Sequence, residues 1–208
     1  IVDDTAPKIE NISYNKDKYV KSVTLKANIL DDDSGIASYA VDTNCSSFKN
    51  TNLNLIEEEI TENGTYYICV KDLSNNMSKK EIIINNIDNT APKVNNISFD
   101  EKTKILTGQI TDNESGVVAY QISKTTSAPS NWVIIEETKK FDKLSYQITE
   151  NGTYYVWTKD KVGNIGRSSA INLNSVIELK EKLNKAFNNK VRIEILHGKL
   201  KQKEKDNF

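Results

Sequence analysis

The 208-residue chain predicts an all-β protein: two similar antiparallel sandwiches in tandem, then a short segment of helix and strand character. Three observations lead there. The octapeptide Ile60-Thr61-Glu62-Asn63-Gly64-Thr65-Tyr66-Tyr67 returns unchanged as Ile148-Thr149-Glu150-Asn151-Gly152-Thr153-Tyr154-Tyr155, an offset of 88 residues (148 − 60), which marks a duplicated structural unit. Apolar residues recur with a period of two, the spacing of strands buried on one face. Turn signals cut the chain into six or seven short strands per unit of roughly 85 residues, the pattern of a sandwich.

The elements follow in order. Each unit opens on a proline, Asp4-Thr5-Ala6-Pro7 and Asn89-Thr90-Ala91-Pro92, where a missing N–H is harmless at the mouth of an edge strand. Val23, Leu25, Ala27 and Ile29 alternate with polar residues, matched by Leu106, Gly108 and Ile110. Both runs stop at polar turns closed by glycine, Asp31-Asp32-Asp33-Ser34-Gly35 and Asp112-Asn113-Glu114-Ser115-Gly116, where positive φ is accessible. Ala37, Tyr39 and Val41, with Val118, Tyr120 and Ile122, form the inward set of the next strand.

The copies differ most in the middle. Asn44-Cys45-Ser46-Ser47 stands against Thr125-Thr126-Ser127-Ala128-Pro129-Ser130 followed by Trp132-Val133-Ile134, and the offset grows from 81 to 88. Such a length change marks a surface connection. Ile56 and Ile60, matched by Leu144, Tyr146 and Ile148, lead into the repeated phrase. Beyond it Tyr66, Ile68 and Val70, with Tyr154 and Val156, take the inward parity. Tyr67, Cys69, Tyr155 and Trp157 take the outward one. Asn75 stands where copy two has Gly163, the exchange expected at a left-handed position. A last strand near Ile82-Ile83-Ile84 or Ala170-Ile171-Asn172 closes each unit.

The units span residues 3–87 and 88–173. The connection Asn85-Asn86-Ile87-Asp88 has no glycine and no long polar tract, so a short, stiff joint is expected. Over 174–208 the pattern shifts to helical spacing at Val176, Leu179, Leu183, Ala186 and Phe187, then to an alternation at Val191, Ile193 and Ile195. This segment reads as the start of a further unit or, in its last residues, as a tail.

Composition narrows the function. Lys+Arg 28 against Asp+Glu 29 leaves a net charge of −1, so no global field favours nucleic acid or an anionic membrane. No apolar run approaches the ~20 residues of a membrane helix. The opening Ile1-Val2-Asp3 carries no signal peptide and suggests a fragment of a longer polypeptide.

Asp-x-Thr-Ala-Pro, the acidic Ser-Gly turn, Gly-Thr-Tyr-Tyr and the Lys-Asp-x-x-Gly-Asn of copy two together resemble the tandem bacterial immunoglobulin-like repeats of cell-surface and secreted proteins. The resemblance covers about residues 3–173. It implies a non-catalytic, extracellular structural or adhesion module, a stalk or spacer whose partners are neighbouring domains of the same polypeptide and host or cell-wall glycan or protein. The alternative is a glycan- or ligand-binding accessory unit on a secreted hydrolase or phage fibre.

The candidate chemistry is sparse. Cys45 and Cys69 correspond to Thr126 and Trp157, and their joint absence from copy two is what a bonded pair would leave. Parity argues the other way, since Cys69 counts outward and Cys45 inward, so a disulfide and two free thiols both stay open. His197, the only histidine, has no nucleophile-elbow motif to serve, and no catalytic residue is assigned. Tyr155 and Trp157 are the candidates for stacking a glycan; an aromatic platform there would favour binding, and cover over it a spacer. An immunoglobulin-like topology would gather acidic residues at the entrance of each unit: Asp3, Asp4, Asp31, Asp32, Asp33 and Asp72 in copy one, of which Asp31, Asp33 and Asp72 are the candidate ligands, and Asp88, Asp112, Glu114 and Asp160 in copy two. Two accounts fit, capping of turn N–H groups or a shared hard cation such as Ca²⁺.

Overall fold

A computed structural model describes residues 3–173 and the isolated Lys185. The segment expected over the rest of 174–208, with His197, lies outside the described residues. Copy one contains β1 (Lys8–Ser13), β2 (Val23–Leu30), β3 (Ile36–Asp42), β4 (Lys49–Asn50), β5 (Leu55–Ile60), β6 (Gly64–Asp72) and β7 (Met77–Ile84). Copy two contains β8 (Lys93–Asp100), β9 (Ile105–Thr111), β10 (Val117–Ser123), β11 (Val133–Lys139), β12 (Phe141–Gln147), β13 (Gly152–Asp160), β14 (Ile165–Arg167) and β15 (Ile171–Leu173).

The sheets are β1-β2-β5 and β4-β3-β6-β7 in copy one, β8-β9-β12 and β11-β10-β13-β14 in copy two, with β15 also on β13. Because β2 and β5 pair while β3 and β6 pair in the other sheet, the chain crosses between sheets in Greek-key fashion. This is the immunoglobulin-like sandwich, built twice.

Each core lies between its two sheets. Val23, Leu25, Ala27 and Ile29 of β2 meet Ile56 and Ile60 of β5 and Ile68 and Val70 of β6; Leu106 and Ile110 meet Leu144, Ile148, Tyr154 and Val156. Burying each large aliphatic side chain contributes ~1.5–3 kcal/mol against conformational entropy. Gly108 stands where copy one has Ala27, and a Cβ there would sit 3.3 Å from Leu144. The smaller residue makes room for a leucine in place of Ile56.

Several inward assignments shift. A register change between Ile36 and Ser38, repeated between Val117 and Ala119, puts Ile36 and Val117 against the core in place of Ala37 and Val118. Tyr39, Tyr66 and Tyr120 are half-buried rather than deeply buried, because their ring ends reach the rim. Tyr66 and Tyr154 send their hydroxyls to the carbonyls of Glu62 and Glu150, at 3.0 and 2.6 Å, four residues back in each case, the tyrosine corner of this fold. Tyr146 is exposed. The last strand of copy two is split. Trp157 pairs with Arg167 as Cys69 pairs with Lys79, but Tyr154 pairs with Ile171 where Tyr66 pairs with Ile82. One extra residue has entered, and Ser168 absorbs it. Its N–H donates to the Val156 carbonyl, and its Oγ accepts from the Val156 N–H.

Candidate functional site

The outward face of β6 and β13 is covered in both copies. Cys69 pairs across to Ala40 and Lys79 and is fully buried, bonded to Cys45. Cys45 has φ 58°, so the loop bends sharply after β3 and brings its sulfur to the outward side. Asp42 holds that bend: its carboxylate accepts the backbone N–H groups of Asn44 (2.9 Å), Cys45, Ser46 (2.9 Å) and Ser47 (2.7 Å). Burial alone would raise its pKa, but those N–H groups outweigh it and hold the carboxyl well below the usual range.

In copy two, Trp157 occupies the Cys69 position and is only 8% exposed. Its Nε1 donates to the Thr125 carbonyl at 3.4 Å, while Arg167 Nη1 donates to the Thr126 carbonyl at 2.7 Å. The Arg167 guanidinium also lies 5.0 Å from the Tyr155 ring centre and 5.3 Å from that of Trp157, within cation–π range. Tyr67 is capped likewise by Lys79 Nζ at 3.6 Å.

The joint is laced to both sandwiches. Ile87 is buried in the core of copy one and forms a parallel bridge with Val20. The Asn63 side chain donates to the Ile87 carbonyl (2.7 Å) and accepts its N–H (2.8 Å), imitating a neighbouring strand. Asn86 Nδ2 donates to the carbonyls of Asn15 and Lys18 at 2.6 and 2.7 Å, and Asn89 Nδ2 to those of Lys21 and Thr61 at 3.1 and 3.0 Å. Between them, Asp88 turns into copy two. It accepts the N–H groups of Thr90 (3.0 Å) and Ser115 (3.1 Å), and its backbone carbonyl accepts Asn164 Nδ2 (3.1 Å).

The entrances gather carboxylates as the topology implied. Asp88, Asp112 and Asp160 each offer an oxygen within 4.8 Å of the others, and Asp3, Asp31 and Asp72 do the same in copy one. Of the acids expected at that entrance, Asp33 is exposed and stands outside the set, while Asp3 of the entering segment joins Asp31 and Asp72. Glu114 flanks the copy-two set, its Oε2 accepting the Thr90 hydroxyl at 2.6 Å. Asp112 Oδ1 accepts the N–H groups of Glu114 and Gly116 at 3.0 and 2.8 Å, and Asp160 Oδ1 accepts that of Asn164 at 2.7 Å. Turn capping therefore orients these side chains.

The charges are unevenly borne. Burial, then the neighbouring Asp88 charge, pushes the Asp160 carboxyl up against the bonds from Asn164 and Gly163. Burial also opposes ionisation of Asp88, but the Ser115 hydroxyl, the Thr90 N–H, Glu114 and the Ser115 N–H hold it below the usual range. The Thr90 hydroxyl favours the charged form of Glu114, yet burial and the charges of Asp88 and Asp112 raise it.

Sequence reasoning passed over Asp42, Asn63 and Arg167. Asp42 heads Asp-x-Asn-Cys-Ser-Ser, an Asx-turn pattern that could have singled it out. Asn63 lies within the repeated octapeptide, but its role needs the joint to be folded back on it.

No family model and no curated protein matches the chain. Among solved structures it is similar to the human OSCAR ligand-binding domain, at 10% identity over 81% of this chain and 98% of that one (TM-score 0.35). It is also similar to a stretch of domains from titin, at 11% identity over 82% and 67% (TM-score 0.38). A third likeness is the BSP domain of a biofilm-associated protein, at 14% identity over 81% of this chain and 30% of that one (TM-score 0.28).

Proposed function

We propose that this tandem is a non-catalytic spacer or adhesion stalk within a larger exported polypeptide, of the kind found on bacterial surfaces, holding its neighbouring domains at a fixed separation. The observation that carries this reading is the joint. Asn63, Asn86 and Asn89 bind the connecting segment to copy one while Asp88 is bound into copy two, so the connection is continuous with both folded units. A disulfide is consistent with an oxidising, extracellular setting. The cover over Trp157 and the guanidinium over Tyr155 argue against these rings as a stacking platform for sugar.

A panel of cell-wall and host glycans, immobilised and probed with the full chain, tests this. The spacer reading expects no saturable binding that depends on the outer face. Saturable binding abolished by Tyr155→Ala, with the fold intact by circular dichroism, would replace it with the glycan-binding accessory reading.

A further inference from the structure

We propose that Asp88, Asp112 and Asp160, completed by the Ser115 hydroxyl, form a site for one hard divalent cation of the Ca²⁺ type that pins the connecting segment to copy two.

Distance is the first argument. One oxygen from each carboxylate lies within 4.8 Å of the others. Two oxygens on a common Ca²⁺, each at about 2.3–2.6 Å, stand at most about 5 Å apart. The three side chains already meet that limit.

Burial is the second. Asp88, Asp112 and Asp160 are 0%, 5% and 1% exposed. Among the described residues no lysine or arginine forms an ion pair with any of them. Buried charge of one sign is unfavourable without a counter-charge. Turn capping explains where each carboxylate points, but not why three converge: the N–H groups of Glu114, Gly116 and Asn164 could be satisfied with the carboxylates apart.

Ser115 is 5% exposed and its Oγ has no well-formed hydrogen bond. Its own backbone N–H donates to Asp88 Oδ2 at 3.1 Å, which seats the residue against the cluster. A buried hydroxyl with no well-formed hydrogen bond is uncommon, and here it adds a neutral oxygen to a site already supplying three anionic ones. Ca²⁺ accepts such mixed, irregular oxygen shells, whereas Mg²⁺ demands a near-ideal octahedron. A pocket of about 200 Å³ lined by Thr90, Lys93, Thr111, Asp112 and Glu114 opens beside the cluster; its acidic and hydroxyl lining gives an ion and its remaining waters a way in.

Position supplies the consequence. Asp88 directly follows Ile87, which is seated in copy one, and Asp112 and Asp160 cap turns of copy two. An ion shared by the three fastens the joint where the chain changes sandwich. Asp3, Asp31 and Asp72 form the corresponding set in copy one, and Ser34 Oγ also lacks a partner, but Asp3, Asp31 and Ser34 are only half-buried. The joint site is the better enclosed of the two.

Cation binding does not depend on the spacer reading, and titration tests it separately from the glycan panel. The full chain, stripped with EDTA, is titrated with CaCl₂ and in parallel with MgCl₂, by calorimetry and thermal melting. We expect saturable Ca²⁺ binding at about 10⁻³ M or tighter, weaker Mg²⁺ binding, and a melting transition raised by several degrees on saturation. Asp112→Asn keeps an oxygen for the turn N–H groups and removes the charge, so it should weaken the joint site at least about tenfold. Ser115→Ala should weaken it severalfold, and Asp31→Asn should leave it intact. Absence of Ca²⁺ heat to 10 mM with an unchanged melt would overturn the site. So would a response lost in Asp31→Asn but retained in Asp112→Asn. Should Asp112→Asn not fold, wild-type affinity in Ser115→Ala would have the same force.

Discussion

The two sandwiches make the same ties with different chemistry. In copy one, the loop after β3 is fastened to the outer face of β6 by Cys45–Cys69 and shaped by Asp42. In copy two, the equivalent loop is fastened to the equivalent strand position by the Trp157 indole and the Arg167 guanidinium, both donating to loop carbonyls. A second exchange lies at the entrance. Ser78 Oγ donates to the Pro7 carbonyl in copy one, and Thr158 Oγ1 donates to the Pro92 carbonyl at 3.0 Å in copy two. Ser78 has become Gly166 and Val70 has become Thr158, so the hydroxyl has moved from one strand to its neighbour while its acceptor stayed. What persists is the need to hold a loop or an entering segment in place; the residue that does it is free to change.

The exchanges can be broken one at a time, with differential scanning calorimetry resolving the two copies. Trp157→Ala removes a large, nearly buried ring and the loop bond it makes, and should cost copy two ~3–5 kcal/mol while leaving copy one unmoved. Reduction of Cys45–Cys69, which closes a loop with a sequence separation of 24, should cost copy one ~2–4 kcal/mol and leave copy two unmoved. Thiol titration of the unfolded, unreduced chain should find no free thiol, and two titratable thiols would remove this half of the comparison.

A smaller effect sharpens the entrance exchange. A Cβ on Gly166 would meet the Pro92 carbonyl and lie 2.8 Å from Thr158 Oγ1, so Gly166→Ser alone should destabilise copy two by ~1–3 kcal/mol. Adding Thr158→Val puts a methyl where Oγ1 stood and leaves the Pro92 carbonyl in place, so it should not recover that loss. Recovery in the double variant would show that the entering segment can shift to the copy-one arrangement.

The smallest effect is in acid. The Asp42 carboxyl is held below the usual range by four N–H groups, so its contribution is fully present above about pH 4 and is lost as pH falls toward the depressed folded value. The corresponding loop position in copy two is Ser123, which does not titrate there. Asp42→Asn should flatten the acid dependence of the copy-one transition below pH 4 and leave that of copy two as it was.

Much of this comparison was legible in the sequence. The repeated octapeptide and the period-two alternations identify both sandwiches, and the Asn75/Gly163 exchange marks a left-handed turn position that the structure shows at φ 70° and 92°. The convergence of acids at each entrance followed from topology, though which acids meet did not. Of the copy-one acids expected there, Asp3, Asp31 and Asp72 meet and the exposed Asp33 stays outside the set, a selection that spacing does not carry. Parity failed wherever the ladder carries an irregularity. The register shifts before Ser38 and Ala119 each displace the alternation without a distinctive residue. The buried state of Cys69 and Trp157 was obscured for another reason. A strand reads as outward by counting, but whether a loop returns to cover it is decided by tertiary contacts.

The central claim is that the joint is an ordered part of both sandwiches. Its most direct test is a distance distribution by double electron–electron resonance, between nitroxides attached by non-cysteine chemistry at the exposed positions Thr24 and Lys143. A single narrow distribution is predicted for the full chain, broadening when Asn63→Ala and Asn89→Ala together release the connecting segment from copy one. A broad distribution in the unmodified chain, unchanged by those substitutions, would contradict the account.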